Sequence, residues 1–265
     1  MPRNSIEAIT ALRELNLARN DLAFLFLGYS SILLKSNDLI IAIDPGKSLS
    51  SPEISVIGHL DLLLFTHNHW DHFKKDHALE LIKQTQPHVV ADVASFEELK
   101  PHIPSNTLTR ADPASKSATF CIDAAEVTAL PGIHVGPITQ YLINLGTAKI
   151  FHGGDSGYWR QKNASADIAL VPVGTATTCS PATALATVMD LSPRIAVPIH
   201  GRKQEMTQFK SIMEKILPET EVIKPEKYKP IRIHDLRKKK KRGASVSSCF
   251  ECSSLVEQSG NQEDG

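Results

Sequence analysis

An α/β fold is predicted by three observations on this 265-residue chain. Short apolar runs of four to six residues, bounded by turn residues, recur along most of its length. Between several of them lie stretches of ten or more residues whose apolar positions repeat with helical spacing. Apolar residues make up 42% and charged residues 22%, so one large α/β domain can fill a core at this length.

The elements follow in order. Asn4 and Ser5 can cap a short helix whose Ile6, Ile9, Leu12 and Leu15 recur on one face. Strands are expected at 22–27, 31–34 and 39–43, with Asn37 and Asp38 turning the last two into a hairpin. Residues 61–65 read as a buried strand that ends at Thr66. A helix over 74–85 and a strand over 88–91 come next, and the spacing of Ser95 and Glu98 places the start of a further short helix at Ser95. Residues 118–122 and 126–130 form two strands of a second β region, and 140–145 with 149–152 a hairpin around Gly146 and Thr147. A strand at 168–173, a helix at 182–191 after Pro181, a strand at 195–199 and a helix at 204–216 complete the pattern. Strands followed by mixed helices and strands thus occur twice, and the lack of a short fixed period excludes a solenoid.

Charge narrows the function classes. The formal net charge is zero, with no global excess for a nucleic-acid or membrane partner. Residues 237–265 hold six basic and four acidic residues, a net +2 that leaves the body at −2. We read 1–236 as the domain and 237–265 as a polar, disordered tail. Its basic run 237–242 is either a nuclear-import signal or a solvated segment. Arg3, Glu7, Arg13 and Glu14 stand where a secretory signal would be apolar. The longest apolar stretch, 22–34, is too short to span a bilayer. Four cysteines, with Cys249 and Cys252 in the tail, make no disulfide framework, so a reduced cytoplasmic protein is expected.

The chemistry concentrates in Thr66-His67-Asn68-His69-Trp70-Asp71-His72. A strand running out into a loop presents imidazoles at i and i+2 on one side, and a turn at Trp70 sends Asp71 and His72 to a neighbouring point. Neutral imidazoles and carboxylates suit divalent transition metals. Four ligands in six residues exceed what one tetrahedral ion needs if others arrive from elsewhere, so two ions are implied.

This motif and its place after an apolar strand resemble the metallo-β-lactamase superfamily. The nearer likeness is to its branch of small metal-dependent hydrolases similar to ascorbate-6-phosphate lactonase. In that branch a Gly-His-Ser-Ser-like turn precedes a strand ending in Asp-Pro, as in 28–31 and 41–45 here, with Tyr29 where the branch commonly has His. The resemblance covers roughly 22–235 and implies a four-layer αββα sandwich as a single domain. It also implies three further ligands after later strands: His134, Asp155 in a Gly-Asp turn, and His200 at the end of 195–199. The implied arrangement is His67, His69 and His134 on one ion, Asp71, His72 and His200 on the other, and Asp155 between them.

Two divalent ions so held, zinc foremost and manganese or iron also suited, would share a hydroxide aimed at an ester, lactone or phosphoester bond. Asp71 would orient the hydroxide and carry its proton. The expected partner is a small substrate, phosphorylated or otherwise anionic, with neither membrane nor nucleic acid. A phosphodiesterase or nuclease of the same fold would want a basic groove, which the near-neutral body lacks. An iron-dependent dioxygenase shares the His-rich motif, although the diiron branch typically has Glu at the position of His69.

Several residues admit two readings. Asp44 is either a hydrogen-bond partner of a ligand imidazole or a turn aspartate before Pro45. Trp70 either walls the site or packs. His152 competes with His134 and reads rather as a supporting residue. His59, His77, His88, His102 and His234 lack a ligand setting. Arg160, Lys162, Arg202 and Lys203 either clamp a substrate anion or are solvated loop charges. Cys179 has no basic partner that would make it a nucleophile.

Overall fold

The computed structural model describes residues 4–37, 39–114, 118–122, 124–174 and 178–235. The expectations placed on the tail, including the run 237–242, Cys249 and Cys252, lie outside the described residues, as does Asp38.

The chain opens with α1 (Ser5–Glu14), whose Asn4 side chain accepts from the Glu7 N–H at 2.8 Å. Next come β1 (Leu22–Gly28), β2 (Ser31–Ser36), β3 (Leu39–Ile43), α2 (Ser51–Ile57), β4 (Leu62–Phe65), α3 (Lys75–Thr85), β5 (His88–Asp92), α4 (Val93–Leu99) and β6 (Leu108–Ala111). The second half holds β7 (Thr119–Ile122), β8 (Ala125–Pro131), β9 (Thr139–Asn144), β10 (Lys149–His152), β11 (Ile168–Pro172), α5 (Pro181–Leu191), β12 (Ile195–Ile199), α6 (Lys203–Ile216), β13 (Glu221–Val222) and β14 (Ile231–Ile233).

Two seven-stranded sheets result, in the orders β14-β1-β2-β3-β4-β5-β6 and β13-β12-β11-β10-β9-β8-β7. Each is antiparallel through its hairpins and parallel from β3 to β6 or from β10 to β13. Side-chain alternation assigns the layers. Leu22, Phe24 and Phe26 of β1 join Tyr141, Ile143, Ile150 and Leu170 in the core between the sheets. Ala23, Leu25 and Leu27 of the same strand meet Ile9, Ile54, Leu81 and Leu99 of α1 to α4 in a second core. α5 and α6 cover the other sheet through Val188, Leu191, Phe209 and Met213. The architecture is the expected four-layer αββα sandwich, and strands buried on both faces explain why their sequences read as unbroken apolar runs.

The structure corrects the start of α4. Asp92, at the end of β5, accepts from the Ala94 and Ser95 N–H groups at 2.8 and 3.2 Å, so the helix begins at Val93 and Ser95 lies inside it. A carboxylate placed by the strand caps the first turn before Ser95 can. α2, β6, β13 and β14 were not expected. Among the described residues, no helix is long and apolar enough to cross a membrane.

Candidate metal centre

The loops after β4, β8, β10 and β12 meet along one edge of the sandwich, and they carry the residues of interest. Asp44, just past β3, is fully buried and organises the first loop. Its Oδ1 accepts the Thr66 N–H at 2.7 Å, and its Oδ2 accepts the Thr66 hydroxyl at 2.6 Å and His72 Nδ1–H at 2.8 Å. Because the Thr66 hydroxyl proton goes to Asp44, its oxygen is left to accept from His67 Nδ1–H at 3.0 Å. Both imidazoles therefore keep their proton on Nδ1 and turn the Nε2 lone pair into the site. Gly46 lets this turn close on the motif: a Cβ there would sit 2.2 Å from the Asp71 carbonyl oxygen, and the Gly46 N–H donates to the His72 carbonyl at 2.9 Å.

Within the motif, the N–H groups of His72 and Phe73 both donate to the His69 carbonyl, which closes the turn at Trp70. Phe73 packs edge-on against Phe65 at 5.0 Å and anchors the loop to β4. His134 lies in the β8–β9 loop, where the Ile133 N–H donates to Ser156 Oγ at 2.9 Å and the Ile133 carbonyl accepts from Gly157 N–H at 2.7 Å. The rings of His67, His69 and His134 then stand 4.6 to 4.9 Å apart, with His69 Nδ1 3.2 Å from His134 Nε2.

Asp155 follows β10. Its Oδ1 lies 3.0 Å from Ser30 Oγ, which donates to it, and 3.0 Å from His72 Nε2; its Oδ2 lies 2.9 Å from His200 Nε2. His200 leaves β12 with a φ of 44°, its N–H donating to the Tyr29 carbonyl at 2.8 Å and its Nε2 3.2 Å from Asp71 Oδ2. His152 is buried and supports this loop: Nε2–H donates to the Ser30 carbonyl at 2.9 Å, and Nδ1 accepts from Gly154 N–H at 3.2 Å.

All seven expected side chains are thus brought together, as two groups, His67/His69/His134 and Asp71/His72/Asp155/His200, with donor atoms in each within 4.8 Å of one another. The groups adjoin, because the His67 and His72 rings are 4.1 Å apart. Asp155 belongs to the second group, while its charge also acts on His67.

The donor set fits divalent cations. Nε2 of His67 is buried and has no hydrogen-bond partner, while the buried Nε2 of His72 faces the Asp155 carboxylate at 3.0 Å. An orphaned nitrogen such as that of His67 is costly unless something binds its lone pair. Burial, then the charge of His72, pushes the His67 pKa down to about 3, so its ring is a neutral donor. Burial opposes charge on His72 and His200 as well, but Asp44 and Asp155 raise the first to about 10, and Asp155 and Asp71 raise the second to about 9. Burial would raise the Asp155 carboxyl, yet the His200 and His72 bonds hold it far below the usual range. Protons on His72 and His200 occupy positions that a cation between imidazole and carboxylate can take instead.

Other expectations sort cleanly. Asp44 is the imidazole partner and His152 the support. His59, His77, His88 and His234 find partners elsewhere in Asp61, Lys74, Thr109 and Asp21. Burial raises the Cys179 thiol to about 11, which leaves it un-ionised. Arg160, Arg202 and Lys203 are exposed. Trp70 does not pack away: it stands 58% exposed, edge-on to Tyr29 at 5.9 Å and under Lys47 Nζ at 4.0 Å. Thr66, Ser30 and Lys47 were not anticipated. The Gly-Tyr-Ser-Ser turn held the one signal for Ser30.

The sequence model of a family described as the beta-lactamase superfamily domain matches residues 24–200. A UPF0173 metal-dependent hydrolase of Desulforamulus reducens is 28% identical over 213 residues, covering 71% of this chain and 90% of its own. Igni18, a metallo hydrolase from Ignicoccus hospitalis, superposes with a TM-score of 0.70 at 20% identity, over 81% of this chain and 99% of its own. CmlA, a diiron β-hydroxylase from Streptomyces venezuelae, shares the fold at a TM-score of 0.61 and 13% identity, over 83% of this chain and 55% of its own.

Proposed function

We propose that this chain, which belongs to the beta-lactamase superfamily domain family, works as a two-cation hydrolase of small, anionic substrates. It is a metal-dependent hydrolase of the metallo-β-lactamase fold; the proposal adds the number of ions, the bond and the class of substrate. The supporting observation is the convergence of seven donors in two adjoining groups, with a buried, partnerless Nε2 on His67.

His67, His69 and His134 would hold one ion and Asp71, His72 and His200 the other, with Asp155 reaching both. Zinc suits these donors best, and manganese or iron also match imidazole and carboxylate. Divalent cations so placed supply Lewis acidity and bring water activation to neutral pH. The chain's own residues do the rest. Asp44 and Thr66 keep His72 and His67 in the donor tautomer. Ser30 fixes the carboxylate of Asp155, and His152 holds the backbone of Ser30 and Gly154 beside it. Asp71 accepts the proton of the attacking water at its carboxylate and returns it to the oxygen of the leaving group. The bond cleaved is an ester, lactone or phosphoester.

The fold by itself also serves oxidative chemistry, as in CmlA, so the donors carry the choice. Elemental analysis of the purified protein, then a panel of lactones, carboxylic esters, phosphomonoesters and phosphodiesters, tests the proposal. Two ions per chain with turnover on the panel support it. One ion, or oxygen consumption without hydrolysis, would overturn it.

A further inference from the structure

Eight large hydrophobic side chains are exposed among the described residues, and five of them lie on or beside the loops that build the centre. Tyr29 adjoins Ser30, Trp70 sits inside the motif, Ile133 and Val135 flank His134, and Trp159 follows Asp155 by four residues. The other three, Ile6, Met189 and Ile216, are on the outer helices. Apolar surface gathered around a polar centre marks a place where something apolar binds.

The best-defined part of this rim adjoins the second donor group. The Tyr29 ring is 5.8 Å from the His200 ring and 5.9 Å, edge-on, from Trp70. Lys47 Nζ rests 4.0 Å from the centre of the Trp70 indole. An ammonium on an aromatic face keeps N–H donors free for an anion. Tyr29 takes a positive φ of 51°, unusual for a large side chain, so the turn places this ring at a conformational cost.

We infer that Tyr29, Trp70 and Lys47 are specificity-determining residues that select substrates carrying an aryl-sized apolar group beside a negative charge. Tyr29 and Trp70 take the apolar group edge and face, and Lys47 takes the anion. The contact of Tyr29 with His200 puts the adjacent bond within reach of the donors. The inference rests on the hydrolase reading for the chemistry it serves, but its test is one of binding.

The probes are phenylphosphonate and methylphosphonate, which share an anion and differ in the aryl group, titrated into the metal-loaded protein by calorimetry. Phenylphosphonate should bind at least ~10-fold more tightly. Trp70→Ala and Tyr29→Asn, the latter suited to a positive φ, should each bring the ratio towards one with metal content unchanged. Trp70→Phe should retain most of it. Lys47→Ala should weaken both phosphonates several-fold and leave the ratio intact. Equal affinities in the unsubstituted protein, or a ratio that survives both aromatic substitutions, would overturn the inference. If Trp70→Ala loses metal, Tyr29→Asn and Trp70→Phe decide. A metal content other than two per chain defeats the two-cation proposal, whereas two bound ions with a ratio of one defeat only the rim.

Discussion

Asp44 accepts three hydrogen bonds in a position closed to water, and two of them set the tautomers of His67 and His72. Asp44→Asn puts an N–H₂ or a weaker acceptor against donors that have no other partner. Removing such a partner to a metal-ligating imidazole commonly costs 10- to 100-fold in metal affinity. We expect a loss of that size on isothermal titration with zinc, with the second group affected most, and a melting temperature lower by several degrees. Asp71 should behave differently. As one donor among seven it adds only part of the binding free energy, while positioned acid–base work is worth 10²–10⁴-fold, roughly 3–5 kcal/mol of barrier. Asp71→Asn keeps the shape and an oxygen donor but gives up the proton acceptor. Near-normal metal content with turnover down by about that factor is expected on whichever substrate the panel yields. His69→Ala should lose metal and turnover together. Should Asp71→Asn keep half of its turnover, the proton role belongs to another group.

The sheets close through an element that nothing local announces. β14, three residues long, pairs with β1 across some two hundred residues, with Leu22 opposite Ile233 and Ala23 opposite Arg232. Asp21 locks it: Oδ2 accepts from Arg232 Nε and Nη2 at 3.0 and 2.8 Å, and Oδ1 accepts from the Asp235 N–H at 3.1 Å. Burial would raise the Asp21 carboxyl, but the Arg232 bond, the Asp235 N–H and the charges of His234 and Arg232 hold it below its ordinary value. A depressed folded-state pKa contributes stability that is fully present above the unfolded value near 4 and is lost as pH falls through the folded one. Asp21→Asn should therefore cost about 1–2 kcal/mol at neutral pH, and the gap to the unsubstituted protein in urea melts should shrink below about pH 4. A gap that stays constant into acid would mean that packing, not charge, holds β14.

The same element shows where the sequence stopped being legible. The long strands and amphipathic helices could be read because burial on two faces or one writes an apolar run or a 3.6-residue period. β6, β13 and β14 are edge strands of two to four residues, too short to write either, and their pairings are set by the rest of the fold. α2 did carry a signal, Ser50 three before Glu53 with Pro52 at its start, hidden in a run of turn-forming residues. In the site, His67 to His72 were legible because their spacing is local. His134, Asp155 and His200 each stand alone in a turn, and only the resemblance drew them together. Thr66 and Ser30 act through hydroxyls whose partners lie 22 and 125 residues away, a distance no local pattern records.

At the scale of the molecule, the centre lies on the seam between the two sheets. His67 and His69 come from the loop after β4 in one sheet, and His134 comes from the loop after β8 in the other. Asp71 and His72 are likewise matched by Asp155 and His200 after β10 and β12. Each group therefore spans both layers, so a cation in either would tie the sheets to each other as well as serve chemistry. Binding to the folded state alone stabilises by RT ln(1 + [L]/Kd), about 2.7 kcal/mol at a hundredfold excess over Kd. For a domain of this size 1 kcal/mol moves the melting temperature by roughly 2–4 °C. Chelation should then lower it by roughly 5–10 °C per ion, and stepwise return of zinc should restore it with a stoichiometry near two. His134→Ala and His200→Ala each disable one group, so each should retain one ion and about half of the stabilisation. Two such variants losing both ions together would mean that the groups fill only as a unit, through the shared carboxylate of Asp155. A single ion per chain that His200→Ala leaves in place would remove the second site, and with it the two-cation mechanism.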